Sequence, residues 1–218
     1  MQTLFRGTIL GVPAAGKGTI SKKIIENFDI VHVSTGDLFR QKIEKSDSVG
    51  KAVAKYISDG KLVPDVFVVD IILSKIKEEL YDKNFLLDGF PRTIKQAEKL
   101  FMSFPLTIAI NLIVPLEEIL KRAEGRLVHV PSGRIYNIIY RPPKVAGKDD
   151  VTGEPLLRRP DDEPEKIHER LKIYYENTQP LVDYFKKKGI LKNFDGTSSD
   201  EMWKNINKEI LKQLKPKS

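Results

Sequence analysis

Cysteine is absent from the 218 residues, which excludes a disulfide framework and any zinc site built on thiolates. Long apolar runs are missing too. The richest stretch, Leu106 to Val114, stops at Pro115, far short of the roughly 20 residues that cross a bilayer, so no membrane partner is expected. Acid is scarce relative to base: 37 Lys and Arg face 30 Asp and Glu, a formal charge of +7. Such a balance suits a polyanion, either a nucleotide or a nucleic acid. Aromatic residues are few and are not interleaved with the basic ones as a stacking platform for single strands would require, so nucleic acid is not the expected partner. What remains is a globular chain long enough for one substantial core with small insertions. Met1 to Arg6 carries one Arg and no acid, but a strand follows at once. That leaves no room for a cleavable presequence, while an internal or very short targeting signal stays open.

Apolar periodicity alternates between strand and helix along the chain. Leu4 to Leu10 reads as a buried strand, and after a Gly-rich turn Ile20, Ile24 and Phe28 fall on one helical face. A second strand, Ile30 to Val33, runs into Ser34, an N-cap for a helix carrying Leu38, Phe39 and Ile43. Helices are expected over Gly50 to Ser58 and Asp65 to Leu80, parted by a turn ending at Pro64. Phe85 to Leu87, Thr107 to Val114 and Ile190 to Phe194 supply three more strands, each followed by a helix. Thr93 with Gln96, and Ser198 with Glu201, have the spacing of capping boxes. Continuous apolar strands of this kind belong to a covered parallel sheet, so the fold class expected is α/β with five parallel strands and helices on both faces. Between Arg126 and Glu163 the composition turns to Pro, Gly, Asp and Arg with short β-like pieces such as Arg134 to Tyr140, the mark of a small β-rich inserted lobe. From Glu163 a long helix is expected, with Ile167, Leu171, Tyr174 or Tyr175, Thr178, Leu181 and Phe185 inward and a bend at Pro180.

The first strand ends in Gly11, Val12, Pro13, Ala14, Ala15, Gly16, Lys17, Gly18, Thr19, a phosphate-binding loop with its hydroxyl one place later than in the general pattern. Glycines let successive N–H groups turn toward phosphate oxygens, the next helix adds its positive end, and Lys17 adds a mobile full charge. The third strand ends in Asp88, Gly89, Phe90, Pro91, Arg92, which sets an acid and an arginine where open α/β sheets bind ligands. Asp88 suits Mg2+ held through water, and Asp37 is the second candidate.

The blocks G-x-P-x-x-G-K-G-T, S-T-G-D-L-x-R, G-K-L-V-P-D, D-G-F-P-R-T, P-S-G-R-x-Y-N and P-P-K-x-x-G-x-D-D-V-T-G-E-P-L follow in order from Gly11 to about Gly196. This succession resembles the long-lid adenylate kinases. The resemblance implies a P-loop nucleotide kinase core over 1–33, 64–125 and 164–218, a helical AMP-binding lobe over 34–63 and a lid over 126–163, working as a monomer. It implies magnesium-dependent phosphoryl transfer from GTP or ATP to AMP, yielding ADP. AMP would lie against Thr35, Arg40, Gln96, the backbone of Lys61, Leu62 and Val63, and the turn Gly89, Phe90, Pro91, Arg92. The catalytic set would be Lys17, Arg92, Arg126, Arg159 and Arg170, the last two also facing AMP. The donor would take the loop from Ala14 and Ala15 through Thr19, with Arg122, Arg126, Ile135, Tyr136 and Ser198.

Lids of this length often hold zinc through four cysteines, but His129, Ser132, Asp149 and Thr152 stand at those positions here. Two hydroxyls make a poor zinc set, so a hydrogen-bonded polar cluster without zinc is expected. The stretch from Gly189 to Thr197, with Trp203 following, is similar to the mitochondrial GTP:AMP phosphotransferases. That favours GTP as donor and the mitochondrial matrix as compartment, with ATP and the cytoplasm as alternatives.

Overall fold

The computed structural model describes residues 4–158 and 162–214. Five strands, β1 (Arg6–Leu10), β2 (Val31–Ser34), β3 (Phe85–Asp88), β4 (Ile108–Ile113) and β7 (Leu191–Asp195), form one sheet in the order β2-β3-β1-β4-β7. Every pairing in it is parallel. Two further strands, β5 (Arg126–His129) and β6 (Arg134–Asn137), pair antiparallel in a separate small sheet.

Side chains along each central strand alternate between two cores, as the two-residue period of a strand dictates. Ile9, Leu86, Ile108, Ile110 and Leu112 enter one cluster with Ile20 and Ile24 of α1 (Lys17–Asn27) and Ile206 and Ile210 of α9 (Ser199–Leu214). Leu10, Phe85, Leu87 and Ala109 enter the other, against Val69, Ile72 and Ile76 of α4 (Asp65–Glu79) and Ala97 and Leu100 of α5 (Ile94–Ser103). Each fully buried Val, Leu, Ile or Phe among these is worth about 1.5 to 3 kcal/mol of transfer free energy. This two-sided burial is why the strands read as continuous apolar runs.

Caps set the helix starts. Ser34 Oγ accepts from the Asp37 N–H at 3.2 Å at the head of α2 (Thr35–Glu44), and Thr93 Oγ1 accepts from the Gln96 N–H at 3.2 Å. Ser198 Oγ accepts from the Glu201 N–H at 3.1 Å. Between α2 and α4, helix α3 (Ser48–Ser58) begins two residues earlier than its apolar pattern suggests. Asp47 caps it, accepting from the Gly50 N–H at 2.7 Å. Helix α6 (Leu116–Glu124) follows β4 and leads into the small sheet.

The long helix expected after Glu163 is interrupted: α7 (Pro164–Ile173) widens into a π-helical turn over Tyr174–Thr178 before α8 (Pro180–Lys187). Pro180 has no N–H to continue the α ladder. The irregularity therefore falls in the turn before it, where the Gln179 N–H reaches five residues back to the Tyr174 carbonyl at 2.8 Å. Tyr174 is buried and Tyr175 is 55% exposed, which settles the inward aromatic.

The small sheet has too few apolar residues for a core of its own and is tied by a polar cluster around Asp149. Arg134 donates to both Asp149 oxygens at 2.7 and 2.6 Å, the Tyr136 hydroxyl donates at 2.9 Å, and the Val151 and Thr152 N–H groups donate at 3.1 and 2.9 Å. His129 is also buried, with Nδ1 2.6 Å from Ser132 Oγ, Nε2 2.6 Å from Glu154 and 3.3 Å from Thr152 Oγ1. All four positions singled out from the sequence meet in this cluster, joined by Arg134, Tyr136 and Glu154. Arg134 and the convergent donors hold the Asp149 carboxyl far below the usual carboxylate range. A carboxylate whose folded pKa is depressed contributes its full stabilisation above its ordinary value of 3.8 and loses it progressively as the pH falls from there toward the lower folded value. Asp149→Ala is therefore expected to lower the thermal midpoint by several degrees at neutral pH, with the gap to wild type narrowing below about pH 4. Equal midpoints at neutral pH by calorimetry would contradict this.

Candidate active site

The carboxyl end of the sheet is where the chemistry-bearing loops meet. β1 lies between β3 and β4, and Ile9 is in register with Asp88, as Ser34 of β2 is. The loops after β1, β2 and β3 therefore open side by side.

The loop from Gly11 to Gly16 turns through conformations suited to glycine. Gly16 has φ 94°, and a Cβ there would stand 2.7 Å from Ser199 Oγ. Ala14 takes φ 62° as a non-glycine residue, a strained conformation of the kind that concentrates at ligand sites. Lys17 opens α1 and folds back over the loop, its ammonium donating to the carbonyls of Gly11 at 2.7 Å and Val12 at 3.0 Å. Burial pulls Lys17 down to about 7, opposed by Asp88 and reinforced by Arg92, Arg170 and Arg126, although part of its side chain still meets the cleft.

Asp88 ends β3. One of its oxygens lies 3.5 Å from Ser21 Oγ and 3.5 Å from His32 Nε2. Among the described residues no arginine is paired with it. Its backbone carbonyl accepts from Thr35 Oγ1 at 3.1 Å. Gly89 follows at φ 82°, and a Cβ there would meet Thr35 Oγ1 at 2.6 Å and an Arg92 guanidinium nitrogen at 2.9 Å, so the close approach of these two side chains depends on glycine. Arg92 Nε donates to the Gly89 carbonyl at 2.9 Å. Asp37, by contrast, is engaged by Arg40 at 2.5 Å.

Two arginines from different elements gather on one acid. Arg126, at the start of β5, is held in a fork by both oxygens of Asp162, and Arg170 of α7 donates to the same carboxylate at 3.3 Å. The Asp162 side chain is 2% exposed. Arg122 of α6 donates to the Ala15 carbonyl at 3.1 Å and the Thr197 carbonyl at 2.5 Å, with its guanidinium 5.8 Å from the centre of the Tyr140 ring. Tyr140 in turn donates to Glu118 at 2.7 Å.

A cavity of about 1530 Å³ runs from the phosphate-binding loop across to the small sheet, and a smaller one of about 80 Å³ lies beside α2. Ala14, Gly16, Lys17, Gly18, Thr19, Asp37, Asp88, Pro91, Arg122, Arg126, Ile135, Tyr136 and Ser198 line the first. Thr35, Lys61, Val63 and Gln96 line the second, and Arg40, Leu62, Gly89, Arg92 and Arg170 line both. Three residues singled out from the sequence are not among these. Ala15 is buried beneath the loop, the Phe90 ring is wholly buried in the core, and Arg159 lies outside the described residues. Asp162 was missed by sequence reasoning: an acid 36 residues from Arg126 and eight from Arg170 leaves no local pattern, and its signal is the pairing seen in three dimensions.

The family model described as adenylate kinase matches residues 9–190. The chain is 46% identical to the mitochondrial GTP:AMP phosphotransferase of Drosophila melanogaster, over 92% of each protein. It is 42% identical to the adenylate kinase of Thermodesulfovibrio yellowstonii, covering 92% of this chain and 96% of that one. To the adenylate kinase of Archaeoglobus fulgidus it is also 42% identical, covering 94% and 97%. With its parallel sheet, its phosphate-binding loop and these matches over most of its length, the chain belongs to the adenylate kinase family of nucleotide phosphotransferases.

Proposed function

We propose that this chain catalyses reversible, magnesium-dependent phosphoryl transfer from a nucleoside triphosphate, GTP favoured, to AMP, giving ADP and a nucleoside diphosphate. The observation that carries this reading is that the two cavities adjoin and share Arg40, Arg92 and Arg170 as walls, which places a donor on the phosphate-binding loop next to an acceptor held beside Thr35 and Gln96.

In this reading the donor phosphates displace the carbonyls of Gly11 and Val12 as partners of Lys17. Arg40 and Arg92 bind the α-phosphate of AMP, whose oxygen attacks the donor's γ-phosphorus in line. As that bond forms, the bond to the β,γ-bridging oxygen breaks and its electron pair leaves on the nucleoside diphosphate. Phosphate oxygens are ionised at neutral pH, so no general base is needed. Arg126, Arg170 and Arg159 supply planar, permanently charged forks to the equatorial oxygens. Magnesium, when bound, neutralises charge on the donor phosphates. Asp88 is fitted to hold it through water, since it lies at the strand end without an arginine partner among the described residues, whereas Asp37 is engaged by Arg40.

Segments 34–63 and 126–163 act as lobes closing over a core made of the rest, excluding water from the transfer. Zinc plays no part, the lid being held by the cluster around Asp149. Likeness to the mitochondrial relative supports GTP and the matrix, and relatives named adenylate kinase support the alternative of ATP as donor.

Purified protein with AMP and magnesium, given ATP, GTP and ITP in parallel, is expected to prefer GTP and ITP. Equal or faster use of ATP would replace the GTP reading with the alternative, and inactivity toward AMP would refute the acceptor. Because Asp162 positions both Arg126 and Arg170, Asp162→Asn is expected to lower kcat about ten- to a hundredfold in steady-state assays while the fold persists. An unchanged kcat would contradict that role.

A further inference from the structure

We infer that Asp65 sets acceptor-base specificity by locking the Gln96 side-chain amide in the one orientation that matches adenine, an inference that rests on the AMP reading above. Gln96 is 2% exposed and lines the smaller cavity with Thr35. Its amide is pinned at both ends. Nε2 donates to Asp65 Oδ1 at 2.6 Å, and Oε1 accepts from the Arg92 backbone N–H at 2.7 Å.

The two partners are chemically one-sided: a carboxylate only accepts and a backbone N–H only donates. Turning the amide over would set Oε1 against Asp65 and the NH2 group against the Arg92 N–H, losing both bonds and opposing like dipoles. Each end of the amide keeps one unused valence, a second hydrogen on Nε2 and a second lone pair on Oε1. A base meeting that edge must offer an acceptor to Nε2 and a donor to Oε1. Adenine does so with N1 and its 6-amino group. Hypoxanthine and guanine carry the reverse pattern, a protonated N1 beside a 6-oxo group, and pair well only with the turned amide.

Asp65 is the first residue of α4, and its other oxygen lies 3.5 Å from the hydroxyl of Thr93, the cap of α5. A role confined to the helix start would change stability and leave the choice of base untouched. Asp65 is thus a positioning residue, acting on the base through Gln96.

The test compares kcat/KM for AMP and for IMP as acceptors in wild type, Asp65→Ala and Asp65→Asn, with thermal midpoints measured alongside. In Asp65→Ala the AMP-over-IMP ratio is expected to fall about tenfold, carried mainly by KM. Asp65→Asn, which still offers an acceptor oxygen to Nε2, should keep most of the selectivity. In a Gln96→Ala background the Asp65→Ala change should leave the ratio where Gln96→Ala alone puts it. A ratio in Asp65→Ala within about twofold of wild type, or an equal shift with Gln96 absent, overturns the inference while AMP turnover stands. Loss of the AMP reading itself would show instead as wild-type protein that phosphorylates no AMP.

Discussion

Positive charge crowded into one cleft is the constraint around which the rest of the molecule is arranged. Lys17, Arg40, Arg92, Arg122, Arg126 and Arg170 all line one cavity, and like charges at such range repel in the reduced dielectric of a cleft. Counter-dipoles and counter-charges from the chain hold them apart and in place. Lys17 rests on two loop carbonyls, Arg122 on two more, and Arg92 on that of Gly89. Arg40 has Asp37, and Arg126 and Arg170 share Asp162. Burial is what mainly lowers the pKa of Lys17, and Arg92, Arg170 and Arg126 add to it against the opposing pull of Asp88.

The sheet supplies the rigidity that this crowding needs. Its strands are packed on both faces, so the ends of β1, β2 and β3 are fixed to one another by ladder bonds and by burial. Cationic loops mounted on such ends are positioned before substrate arrives, and an electrostatic site works best when no reorganisation is required at the moment of reaction. The smaller sheet has no comparable core and depends on one buried carboxylate instead, which makes its stability sensitive to protonation.

Much of this was legible in the order of residues. Strand, glycine loop and helix from Leu4 to Phe28 are set by local rules, as are the caps at Ser34, Thr93 and Ser198. The burial of Tyr174 over Tyr175 is not, because it depends on which side of the π-helical turn packs into the core. The partners of the functional side chains were hidden for a related reason. Asp162 reaches Arg126 across 36 residues and Asp65 reaches Gln96 across 31, and polar pairing at that separation has no periodicity to read. Phe90 shares its motif with the acceptor-site residues Gly89 and Arg92, yet its ring belongs to the core beneath the turn.

The proposed transfer is a single direct displacement between two phosphates held by these cations, with no group of the protein taking the phosphoryl in between. A donor whose γ-phosphorus is made chiral with oxygen isotopes, turned over with AMP and the stereochemistry of the product read by phosphorus NMR, tests that most directly. One in-line transfer inverts the configuration, which is the result expected here. Net retention would require two successive displacements through a phosphorylated residue and would rule out direct transfer.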